Sequence, residues 1–113
     1  MRVFELNEVF VERELESRDV DGQTGYVKLQ IGKPQLLEQV EGAAGMWCCL
    51  RQITGIGDEK VRPSFGIDSL QALLHSLESA EAELEVLGKQ EHKTLTWLGG
   101  NDLLKKSPSD VAS

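Results

Sequence analysis

The sequence is short of cysteine, histidine and positive charge, and each shortage excludes something. Its two cysteines, Cys48 and Cys49, are neighbours and cannot staple distant segments, so they read as reduced residues of a cytoplasmic protein. With only two histidines beside them, and no ligand spacing beyond that adjacent pair, no metal site emerges. Twelve Lys and Arg stand against 19 Asp and Glu, a formal charge of −7, whereas phosphate-backbone affinity needs clustered cations that release counterions. The clearest basic pair, Lys105-Lys106, is too short to change that. Long apolar runs are absent too. No stretch approaches the ~20 residues of a membrane span. The opening Met1-Arg2-Val3-Phe4-Glu5 is interrupted by charge and does not read as a signal peptide. The expectations are a cytoplasmic location, no membrane and no nucleic acid.

What is present is an ordinary globular composition, 40% hydrophobic and 27% charged over 113 residues, which suits a single domain with one core. Residues 3–15 are rich in Val, Phe and Leu and predict a first strand. Its two phases, Phe4 and Leu6 against Val9 and Val11, would be reconciled by a bulge near Asn7-Glu8. Asp21-Gly22 marks a turn, after which Val27, Leu29 and Ile31 alternate with Tyr26, Lys28 and Gln30, the pattern of a half-buried strand. Gly32-Lys33-Pro34 stops it, and residues 35–45 read as a connection with a helical turn at Leu36-Leu37. Met46–Thr54 predicts a third strand with Met46, Cys48 and Leu50 on one face and Trp47, Cys49 and Ile53 on the other. Val61–Phe65, with Pro63 inside it, suits at most a brief edge segment.

The plainest signal follows. Asp68 is placed to cap a helix, and Leu70, Leu73, Leu74, Leu77, Ala80, Leu84 and Leu87 recur at three- and four-residue steps. They form one stripe about 140° wide, with Gly88 as the residue just past the helix end. Glu81 projects near the stripe, where an edge position lets its carboxylate reach water. Lys93–Leu98 predicts a last strand, with Leu95 and Trp97 on one face, before the Gly99-Gly100-Asn101-Asp102 turn. The expected fold is therefore α+β. An antiparallel four-stranded sheet carries one long amphipathic helix on one face, in the order β-β-β-α-β, with a domain over 1–104 and a tail over 105–113.

Candidate chemistry is sparse. Cys48 or Cys49 with His75 or His92 would be a thiol-enzyme constellation, but the histidines fall on polar segments away from the strand that carries the cysteines. Gly55-x-Gly57 lacks the third glycine and the helix of a dinucleotide loop. Glu5, Glu8, Glu12, Glu14 and Glu16 read as a solvated strand face that also discourages edge pairing. No catalytic residue, resident cofactor or metal is expected. On a sheet with one helix, a second face needs polar residues or a partner. Trp47, with Tyr26 and Ile53, is the candidate interface, and a second copy of the chain is one candidate partner.

Two resemblances bear on function. Gly66-x-Asp68-Ser69-Leu70 resembles the attachment motif of acyl and peptidyl carrier proteins, in which the serine bears a phosphopantetheine arm; it implies Ser69 as an alternative modification site. Those proteins are all-helical, whereas strands flank the motif here. More of the chain resembles a group of small uncharacterised bacterial proteins. The matching segments are Gly57-Asp58, Phe65-Gly66-x-Asp68-x-x-Gln71-Ala72-Leu73, Trp97-Leu98 and Asn101-Asp102-Leu103. That resemblance implies a bacterial cytoplasmic protein of no known activity. The leading expectation is a non-enzymatic protein-interaction or regulatory module, immunity-like in kind, with an unknown protein partner.

Overall fold

The computed structural model describes Leu6, residues 8–37 and residues 45–104. Strands β1 (Val9–Arg18), β2 (Thr24–Gly32), β3 (Gln35–Leu37), β4 (Met46–Thr54) and β5 (Val61–Gly66) precede helix α1 (Ser69–Gln90), and β6 (Thr94–Thr96) follows it. The α+β class holds, but among the described residues the sheet has six strands rather than four, all antiparallel, and five of them precede the helix rather than three. Two segments account for the difference. Val61–Gly66 pairs along β4 for its whole length, with Pro63 tolerated because β5 is an edge strand. The predicted helical turn at Leu36-Leu37 is instead β3. Cys48 pairs with Gln35 and with Phe65, and Arg51 with Ile31 and with Arg62. A strand has two edges, so β2 and β3 must share one edge of β4 while β5 takes the other. Thus β3 is β2 resumed after a one-residue slip at Lys33-Pro34, where proline cannot donate to the ladder.

Among the described residues β1 begins at Val9 and carries a bulge between Val9 and Val11; the expected strand residues 3–5, Asn7 of the expected bulge, and residues 105–113 fall outside the described residues. Pairing then sets the faces, since directly opposed residues point the same way. Val11, Arg13 and Leu15 share a face with Ile31, Leu29 and Val27, and with Arg51, Ile53, Cys49 and Trp47. This is the face α1 covers. The other face is polar across its centre, with Glu12, Glu14, Glu16, Tyr26, Lys28 and Gln30, the usual division of a half-solvated antiparallel sheet.

The helix lies on that sheet differently from its hydrophobic pattern. Its buried residues are Ala72, Ser76, Ala80, Leu84 and Gly88, a four-residue repeat of mostly small side chains. At 100° per residue the centre of this row is turned by about 50° from the centre of the leucine stripe. Leu73 and Leu77 therefore pack from the flank, while Leu70 and Leu74 are left 61% and 48% exposed. Small residues along the contact line let the backbone come close to β4 and β5. Ser76 Oγ donates to the Cys49 carbonyl at 3.5 Å, so the one buried hydroxyl on the helix is satisfied.

Gly88 is not beyond the helix end but inside its last turn. A β-carbon there would stand 3.1 Å from the Lys93 carbonyl oxygen. The left-handed position falls to His92, at φ 54°, with the His92 N–H donating to Lys89 O and the Lys93 N–H to Gly88 O at 2.9 Å. These two bonds are the Schellman pair, in which glycine is the preferred left-handed residue. Replacing His92 by glycine should stabilise the protein by roughly 0.5–1 kcal/mol, since relief of left-handed strain exceeds the added unfolded-chain entropy. A thermal melt showing no rise would refute it.

Candidate functional site

The segment Phe65-Gly66-x-Asp68-x-x-Gln71-Ala72-Leu73 spells a strand-to-helix joint. Asp68 has extended backbone and its Oδ1 accepts the Gln71 N–H at 2.7 Å. Gln71 Oε1 in turn accepts the Ile67 N–H at 2.8 Å, a variant of the capping box in which donors on both sides of the cap are satisfied. Gly66 ends β5 where the helix backbone arrives, and a β-carbon on it would lie 2.4 Å from Ala72 N. Ala72 is fully buried at that contact, and His75 Nδ1 lies 2.8 Å from the Phe65 carbonyl oxygen, tying the second turn to the strand. Ser69 is an exposed first-turn residue beside its cap. Around it stands a six-stranded sheet with one helix, not a helical bundle.

The Trp97…Leu103 segment is organised by Arg13. Its guanidinium sits over the Trp97 ring, 3.5 Å from the centroid, and its Nη1 donates to the carbonyls of Leu103 at 3.0 Å and Leu104 at 3.3 Å. Leu98 and Gly99 both have positive φ, 51° and 82°, as a type I′ turn demands, and Trp97 and Gly100 exchange both backbone bonds across it. Gly57 is held by Glu91, whose Oε2 accepts its N–H at 2.7 Å, and Asp58 pairs with Arg62 at 2.7 Å. The Arg62 guanidinium beside Asp58 holds that carboxyl well below the usual carboxylate range.

The most buried ion pair among the described residues lies between sheet and helix. Arg51, with its side chain 8% exposed, donates Nε to Glu83 Oε1 at 3.1 Å and Nη1 to Ser64 Oγ at 2.7 Å, and Nη2 also meets Glu83. Cys49 is buried nearby. Burial pushes its thiol up, while Ser76 and Arg51 pull the other way. A raised thiol is the opposite of an activated nucleophile. Among the described residues no group of three or more His, Cys, Asp or Glu is placed to hold a metal ion.

The expected interface residues are dispersed. Ile53 is a core residue and Trp47 is half-buried on that core, on the face α1 covers, because both share the phase of Cys49. Tyr26 is exposed on the opposite face. What the structure does bring together is a groove of about 380 Å³ between α1 and β1. The helix crosses the sheet diagonally, from β5 at its start to β6 at its end, and leaves the β1 corner uncovered. Val11, Ile31, Leu74, Leu77 and Leu104 supply its apolar lining, Glu78 and Glu81 contribute carboxylates and Arg13 a cation, while Glu12 borders it from β1 with its carboxylate turned to Gln30 on the open face. Val11 and Leu74 are each 48% exposed there.

A diagonal helix on an antiparallel sheet defines a small α+β domain with an apolar-lined groove between α1 and β1. The chain belongs to a family described as a domain of unknown function (DUF6968), whose match covers residues 11–105. No curated protein and no solved structure matches it. Among the described residues no helix is long and apolar enough to cross a membrane.

Proposed function

We propose that this protein is a non-enzymatic protein-binding module that receives an apolar segment of a basic partner in the α1–β1 groove. The observation that supports this is the mismatch between the leucine stripe and the buried arc of α1. It turns Leu74 outward beside Val11, where burial against a partner removes apolar area worth about 25 cal/mol per Å². The groove's carboxylates, Glu78 and Glu81 against the single cation Arg13, and the chain's charge of −7 favour lysine- or arginine-bearing partners in recognition and in rate of encounter. A regulatory or immunity role is consistent with such a module.

The test uses two 12-residue lysine-leucine peptides, one patterned as a helix and one alternating as a strand, with glutamate-leucine counterparts. NMR titration of the full chain should show at least one basic peptide shifting Val11, Leu74 and Leu77. Leu74→Asp, at an exposed position, should stay folded and weaken that binding at least tenfold, equivalent to about 1.4 kcal/mol. Equal binding of acidic peptides, or no shift with either basic one, would reject the reading.

A further inference from the structure

The outer edge of the groove is a strand. β1 pairs with β2 along its length, but on its other side β6 reaches only Glu16, Ser17 and Arg18. Among the described residues no strand pairs with the outer edge from Val9 to Leu15, and residues 101–104 make no backbone hydrogen bond to it. Seven residues at about 3.3 Å each offer ~23 Å of backbone donors and acceptors. Val9, Phe10 and Val11 on this edge are 42–56% exposed, an association-prone composition for an edge strand.

Three occupants are conceivable: a second copy, a helix lying in the groove, or an extended segment. A second copy paired antiparallel about Glu12 sets that residue against its own counterpart, and pairing about Arg13 sets Glu12 against Glu14; like charges directly opposed destabilise a pair. A groove helix would leave the edge unpaired. An extended segment satisfies both features. Its alternate side chains point either under Leu74 and Leu77 or toward the open face beside Glu12 and Glu14.

We infer that the partner binds by strand addition to β1, as an extended segment alternating apolar residues toward the α1–β1 groove with Lys or Arg toward Glu12 and Glu14. The inference rests on the groove reading and deepens it. Main-chain bonds supply affinity, and the alternation supplies specificity. The glutamates that repel a second copy attract this partner, so one row of charge sets both outcomes.

The test exploits the fact that an added strand turns only alternate N–H groups toward its neighbour. The alternating lysine-leucine peptide is compared with two versions N-methylated at its odd or its even positions, titrated against the full chain by fluorescence anisotropy. One methylated series should lose at least tenfold in affinity and the other should bind as the parent does. The double variant Glu12→Lys, Glu14→Lys should weaken the parent peptide and leave the melting curve close to wild type. If both methylated series bind equally, or only the helical peptide binds, strand addition is wrong while the groove reading stands. If neither basic peptide binds, both readings fall. Sedimentation showing a dimer at micromolar concentration that excludes the peptide would give the edge to a second copy and overturn the inference.

Discussion

Gly66→Ala should lower stability by about 3 kcal/mol, at the upper end of overpacking costs, and depress the melting temperature by roughly 10–20 °C. The reason is the identity of what the new methyl group meets. It would stand 2.4 Å from Ala72 N and 2.9 Å from Gln71 C, which are backbone atoms of a helix already fixed at its cap. A flexible side chain could yield; a first helical turn cannot move without giving up the Asp68–Gln71 bond at 2.7 Å and drawing Ala72 off the sheet. Ser69→Ala, three residues on and exposed, is the matched control and should change stability by no more than about 0.5 kcal/mol. Thermal melts of the two variants decide the point. If Gly66→Ala melts with Ser69→Ala, the joint is not packed as described.

The second large effect is expected at Glu83. Truncating it to alanine strands a guanidinium that is 8% exposed, leaving only Ser64 Oγ at 2.7 Å as its described side-chain partner. An uncompensated buried charge of this kind costs about 3 kcal/mol or more. The pair need not be stabilising for this to hold, because desolvation opposes much of its attraction. Arg51→Met combined with Glu83→Leu should therefore recover most of what Glu83→Ala loses. Denaturant midpoints at constant slope measure both. A Glu83→Ala protein with an unchanged midpoint would mean that water reaches Arg51 in solution.

These two residues also mark the limits of reading this chain from its sequence. The helix, its Asp68 cap and the alternation of β2 were legible because each is a local property of spacing and side-chain chemistry. The angle at which α1 meets the sheet was not, since backbone contacts at Gly66 and Gly88 set it, and neither glycine appears in a hydrophobic pattern. That error of about 50° on the wheel hid the groove, because it placed Leu74 in the core. Arg51 could have been found: it shares the phase of Cys49 and Ile53, so its cation had to point inward and needed an acid from the helix. Trp47 followed the same phase and packs on the core rather than facing outward. Arg13 left no such signal, because its partners near Trp97 and Leu103 are distant in sequence. β3 was read as helical because Pro34 hides the continuity of a strand whose neighbour is elsewhere in the chain.

The two glycine contacts of α1 have one more consequence. Its first turn is seated on β5 and its last on β6, the two outermost strands of the sheet. The helix thus works as a strut of fixed gauge: 22 residues, about 33 Å, spanning the sheet corner to corner. Lengthening it by one residue would swing one end by 100° relative to the other, so only one seat could be kept. The span from Gly66 to Gly88 acts as a ruler.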